Sequence, residues 1–333
     1  VIAGGAHDPS AELPVLAFPS SPPAPLAGVL ARETGRLARE ANLFLGTSSW
    51  KYEGWIGQIY DEERYRTRGR FSRKRFEADC LGEYAGVFPA VCVDAGYYRF
   101  PAEGFLARLA GQVPAGFRLC FKVTDEITVK RFPRLPRFGE RAGQDNPRFL
   151  DAALFADAFL GPLAAQAAKV GVLIFEFSTL HPSHFARGRD FVAALGRFLA
   201  ALPPGWQYGV EVRNASLLHP DYFAALAAHG VAHVFNSWTR MPAVGAQADL
   251  PGAFTTDFFA ARFLLRPGRD YREAVAKFSP YRETGEPFPE ARADLRRLIA
   301  RAAAAPTARP SYIFVNNRLE GNSPNTIAAA LGC

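Results

Sequence analysis

The chain has 333 residues, 49% of them hydrophobic, 13% aromatic and 21% charged, with 39 basic against 32 acidic side chains and a formal charge of +7. That composition suits a globular protein with a large core, and it excludes collagenous, disordered and disulfide-framework classes. No run of about 18 uncharged apolar residues occurs, so a membrane-spanning helix is excluded too.

Residues 1–42 read as a partly disordered N-terminal extension and 43–333 as one domain. The first 25 or so residues are rich in Pro, Ala and Ser; Pro14 and Pro19 interrupt their apolar stretch, and no basic n-region precedes it. This is the pattern of a mobile leader, not of a signal peptide. Beyond residue 42, short apolar or β-branched runs alternate with longer helical patterns. The runs are 43–47, 91–95, 118–124, 171–177, 207–213, 231–236, 261–266 and 311–316. Several are almost continuously hydrophobic, as in Val172-Leu173-Ile174-Phe175, which suits parallel strands buried on both faces. Helical spacing occupies 76–88, 105–112, 152–169, 191–202, 222–229, 290–304 and 323–331. Eight strands alternating with helices predict a single TIM-type (β/α)8 barrel, with an open doubly wound sheet as the alternative. The connections at 50–75 and 125–150 are unusually long and, in a barrel, would hang over the C-terminal mouth.

The four cysteines, Cys80, Cys92, Cys120 and Cys333, form no CxxC pair and no cluster of zinc-like spacing. Cys92 and Cys120 sit inside apolar runs, where a thiol acts as a small core residue, so a reducing, cytoplasmic setting is expected.

Polar side chains collect where the strands end. Trp50 follows strand one, Asp94 and Tyr97 strand two, Lys122 strand three and Glu176 strand four. Glu211 and Arg213 close strand five, Asn236 strand six and Asn316 strand eight. A charge inside a strand that otherwise reads as core must be paired, hydrated or functional. In Phe121-Lys122-Val123 and Val210-Glu211-Val212 neighbouring side chains point to opposite sides, so Lys122 and Glu211 should face the barrel interior or its mouth. One account makes them mutual ion-pair partners, and the alternative is a buried network that fixes the barrel.

Five patches resemble the YecE-like family, domain of unknown function 72. They are Leu45-Gly46-Thr47-Ser48-Ser49-Trp50 with Tyr52, Trp55 and Tyr60; residues 91–101, ending Tyr97-Tyr98-Arg99-Phe100-Pro101; and residues 117–122 with Ile127-Thr128. The fourth is Glu211-Val212-Arg213 with Ser216, and the fifth Val315-Asn316-Asn317 followed by Gly321, Pro324 and Asn325. The resemblance implies a TIM-type barrel and supplies no reaction. The chain departs from the family pattern at Cys92, Asp94, Glu176 and Asn236. It also departs at Leu265-Arg266-Pro267-Gly268, where the family's histidine is missing, so no histidine-dependent mechanism carries over.

Three chemistries fit these residues. In the first, a hydrolase uses Glu176, Glu211 and Asp94 with Lys122 as its catalytic groups, acting on a phosphate-bearing or nucleic-acid-related substrate. Arg213 holds the anion, and Trp50, Tyr97, Asn236 and Asn316 orient the rest. Carboxylates with Asn would accept Mg²⁺ or Mn²⁺. In the second, the protein binds nucleic acid or another polyanion without catalysis. The first long loop interleaves Trp50, Tyr52, Trp55, Tyr60, Tyr65 and Phe71 with Arg64, Arg66, Arg68, Arg70, Arg73, Lys74 and Arg75, and the second adds Lys130, Arg131, Arg134, Arg137 and Arg141. Against this stands a solvated basic loop packed by its own aromatics. In the third, two glutamates flank a glycosidic bond and aromatics stack on sugar.

Overall fold

Eight parallel strands close into a ring in this computed structural model, which describes residues 25–333. They are β1 (Leu43–Thr47), β2 (Ala90–Val93), β3 (Arg118–Lys122), β4 (Val170–Phe177), β5 (Tyr208–Val212), β6 (Ala232–Asn236), β7 (Ala260–Phe263) and β8 (Ser311–Val315). Each pairs with its sequence neighbours, and β8 returns to β1 through Leu43↔Ser311 to Thr47↔Val315. The (β/α)8 barrel is therefore the fold, and the open sheet is not.

The strands' period of two builds two cores at once. One set of side chains, including Leu45, Val91, Phe121, Phe175, Val210, Phe235, Phe263 and Ile313, packs outward under the helices. The alternate set, Phe44, Cys92, Cys120, Ile174, Val234, Ala260, Tyr312 and Phe314 among them, fills the ring. Small residues face large ones inside it, so the barrel is a packed core and not a pore.

The outer layer comprises α1 (Pro25–Glu40), α2 (Arg73–Tyr84), α3 (Glu103–Gly111), a mixed helical stretch over 152–169, α4 (Gly188–Ala200), α5 (Pro220–Ala228), α6 (Tyr271–Phe278), α7 (Pro289–Ala304) and α8 (Ser323–Leu331). Helix α1 lies in the segment expected as an extension. It turns Ala27, Leu30, Thr34 and Leu37, an i, i+3, i+7, i+10 stripe, inward, and the Thr34 hydroxyl donates to Val87 O at 2.7 Å. The leader expected over residues 1 to about 25 otherwise lies outside the described residues. Among those described, no helix is long and apolar enough to cross a membrane. Cys80, Cys92 and Cys120 are buried free thiols, and burial pushes Cys92 up to about 12.

Strands β1 and β2 meet closely at Gly46, where a Cβ would stand 1.9 Å from Ala90 O. Gly46→Ala should force the two strands apart. A destabilisation of about 1–3 kcal/mol is expected from such overpacking, read as a lowered denaturant midpoint; an unchanged midpoint would contradict the close approach.

Candidate active site at the barrel mouth

The period of two that fills the barrel with Cys92, Cys120, Ile174, Val234, Ala260 and Phe314 continues one step further toward the C-terminal mouth. Two residues beyond each stand Asp94, Lys122, Glu176, Asn236, Arg262 and Asn316, with Glu211 in the same layer on β5. The uppermost interior layer is thus polar because the same alternation that packs the core delivers a different residue type there.

The charged members form one network. Glu176 Oε2 receives Lys122 Nζ at 2.6 Å, Arg213 at 2.7 Å and Arg262 at 3.2 Å. Glu211 Oε1 accepts from Arg213 at 3.0 and 3.1 Å, and its Oε2 from Arg262 at 2.7 Å. Asp94 Oδ1 stands farther off, 3.6 Å from Arg262 and 3.9 Å from Lys122. Three cations face three carboxylates. Glu176 and Glu211 have side-chain exposures of only 3% and 0%, whereas that of Asp94 is 33%.

Burial alone would raise the Glu176 carboxyl, but Arg213, Lys122 and Arg262 outweigh it and bring it down to about 2. Burial would likewise lower Lys122, yet Glu176 and Asp94 hold it above its ordinary value. At neutral pH both are charged. Glu176 has no proton to give as a general acid, and the Lys122 ammonium is no Schiff-base nucleophile.

Lys122 and Glu211 share this layer but do not pair, contrary to the sequence expectation. Lys122 meets Glu176, one strand away, because adjacent strands lie about 4.8 Å apart and β5 is a further strand on. Arg262, absent from the sequence-derived site, is the connector that touches Glu176, Glu211 and Asp94. Its signal was present: a charge inside the buried run Ala260-Ala261-Arg262-Phe263.

Aromatic faces border the cluster. Lys122 Nζ lies 3.9 Å from the Tyr97 ring centroid, and the Arg213 guanidinium 3.7 Å from that of Trp238. Asn236 is half committed, its Nδ2 donating to Val212 O at 3.1 Å while Oδ1 is buried without a partner. Asn316 Oδ1 accepts from Arg318 N at 3.0 Å, and its Nδ2 is likewise unpartnered, as is Ser48 Oγ. Trp50 differs. It is buried in the outer apolar core, and its carbonyl accepts from Tyr60 OH at 2.5 Å, with no hydrogen bond or ion pair to the cluster among the described residues.

The first long loop is packed by its own aromatics. Trp55, Tyr60 and Tyr65 are buried, and Tyr60 and Tyr65 each meet Phe76 edge-on at 5.1 Å. Arg64, Arg66, Arg73 and Arg75 pair with nearby acids. A divalent cation does not fit the cluster, because Glu176 already faces three positive groups and Glu211 two. Among the described residues no group of three or more His, Cys, Asp or Glu is placed to hold a metal.

No curated protein sequence matches the chain. Solved structures of similar fold include a DUF72 family protein from Enterococcus faecalis, at 18% identity and a TM-score of 0.57, covering 87% of this chain and 96% of its own. Another is a DUF72 family protein from Thermotoga maritima, at 18% identity and a TM-score of 0.56, covering 87% of this chain and 98% of its own. At that identity the likeness is one of fold. Residues 44–331 match the family described as "Protein of unknown function DUF72", and the chain therefore belongs to this family, the YecE-like one its motifs resemble.

Proposed function

We propose that the barrel mouth is a hydrolytic site for a small phosphate-bearing substrate. One observation carries this reading: after the two buried glutamates are satisfied, the three cations still have donors to offer, and the one carboxylate outside hydrogen-bond range is the one solvent reaches. Lys122 commits a single N–H to Glu176, and Arg262 Nε is buried without a partner. Such donors suit the oxygens of a phosphate. Glu176 and Glu211 then serve as fixed counter-charges that hold the donors in place. Asp94 accepts the proton of a water attacking phosphorus, the ester P–O bond breaks, and the departing oxygen takes a proton from solvent.

The glycosidase reading has less support. Glu176 and Glu211 share one nitrogen of Arg262, so a guanidinium occupies the place a glycosidic bond would need. A nucleic-acid or polyanion binder loses its stacking platform, since Trp55, Tyr60 and Tyr65 are buried.

Calorimetric titration with inorganic phosphate should show saturable binding. Arg213→Lys keeps the charge but loses the planar fork, and should weaken that binding about tenfold, or 1.4 kcal/mol. Asp94→Asn removes a nearby negative charge, so it should tighten phosphate binding while abolishing cleavage of p-nitrophenyl phosphate esters. No phosphate binding, or full ester cleavage by the Asp94→Asn variant, would overturn the proposal.

A further inference from the structure

A cleft of about 300 Å³ opens beside the mouth, between the 125–150 loop and the segment that follows β4; its walls include Thr128, Lys130, Arg131, Arg134, Ser178 and His184. Three features set it apart from an ordinary surface hollow. The first is charge: Arg131 pairs with Asp145 at 2.7 Å, whereas Lys130 and Arg134 have no ion-pair partner among the described residues. The second is an orphan. Thr128 is 1% exposed, and its Oγ1 is buried with no hydrogen-bond partner although the residue lines the cleft. A buried hydroxyl left unpaired is costly, and a ligand oxygen in the cleft would supply the missing acceptor.

The third feature is continuity with the charged cluster. Ser178 stands two residues beyond Glu176, about 7 Å along an extended strand. Its hydroxyl lies 3.4 Å from Tyr97 OH, and the Tyr97 ring is the one under Lys122. One wall is therefore shared, and a single molecule can lie across it.

We propose that this cleft is a second anion subsite, so that the substrate of the mouth carries two phosphate groups, one held by Lys122, Arg213 and Arg262 and the other by Lys130, Arg134 and the Thr128 hydroxyl. The inference rests on the phosphate reading of the mouth and adds a substrate class to it. Ammonium, guanidinium and hydroxyl are all donors, so the cleft selects an acceptor-rich group, and phosphate offers several oxygens at once. Tyr97 and Ser178 would border the carbon chain joining the two groups.

The test is calorimetric titration of the full chain at low ionic strength with methyl phosphate and with bisphosphates of straight-chain diols, from ethanediol to hexanediol. The best-fitting bisphosphate should bind at least about tenfold more tightly than methyl phosphate, with an optimum in chain length. A Lys130→Ala/Arg134→Ala double variant, altered only at the cleft, should bring bisphosphate affinity down to the methyl phosphate level and leave methyl phosphate binding unchanged. Thr128→Val should weaken bisphosphate binding without lowering the thermal midpoint, because it removes an unpaired buried hydroxyl at constant shape. A purely structural threonine would do the reverse.

Bisphosphates binding no more tightly than methyl phosphate would overturn the second subsite and leave the mouth reading intact. Methyl phosphate failing to bind at all would overturn the mouth reading and this inference with it. Equal loss of both ligands in the double variant would put the only anion site in the cleft, which also overturns a substrate held at two points.

Discussion

Arg262→Met should lose about 3–5 kcal/mol of folding stability, the range for breaking a buried ion pair from one side, read as a large drop in thermal or denaturant midpoint. The guanidinium is 3% exposed and reaches Glu176 at 3.2 Å, Glu211 at 2.7 Å and Asp94 at 3.6 Å. Its removal leaves three carboxylates facing two cations, and Glu211 keeps only Arg213. Uncompensated charge, more than the lost contacts, sets the cost. A second substitution separates the two: Arg262→Met with Glu211→Gln restores the balance at two against two and should recover more than half of the loss. If the single variant loses less than about 1 kcal/mol, as an exposed pair would, the network is not a buried charge lattice.

Acid should act on the same lattice through Glu176. Its carboxyl titrates at about 2 in the folded chain against an ordinary value of 4.5. A depressed folded value means that the stability it contributes is fully present above 4.5 and is lost as pH falls through about 2. The gap corresponds to a contribution on the order of 3 kcal/mol. Denaturant midpoints measured downward from neutral pH should therefore fall for the wild type across that window. Glu176→Gln should start lower at neutral pH and lose less on acidification. Parallel acid curves for the two proteins would show that another carboxyl carries the effect.

The sequence made the ring readable because eight short apolar runs, several almost continuously hydrophobic, alternate with helical patterns, and most turn polar at one end. The period of two within the strands placed Asp94, Lys122, Glu176, Glu211, Asn236 and Asn316 in a common layer. Two things escaped. Arg262 was hidden by a strand boundary: a run read as 261–266 puts it at the second position, whereas β7 is Ala260–Phe263 and puts it at the mouth. Trp50 was read as a ligand platform because it follows a strand, but a side chain's neighbours in three dimensions decide whether an indole meets solvent or core. Pairing was the other gap. Charge alone made Lys122 and Glu211 natural partners; strand adjacency gave Lys122 to Glu176 instead. Likewise, the interleaved aromatics of the first loop look the same in sequence whether they await a base or pack on one another.

The six charges enter the mouth on five different strands, and they do not divide evenly along the chain. The first four strands bring Asp94, Lys122 and Glu176, an excess of one negative charge; the last four bring Glu211, Arg213 and Arg262, an excess of one positive. Neither half-barrel closes its own electrostatic account, and each carries the counterion the other lacks. A chain cut between β4 and β5 should thus yield fragments that are poorly ordered apart, because each leaves a charge at the mouth without its counterion, so the chemistry of the mouth doubles as the clasp of the ring.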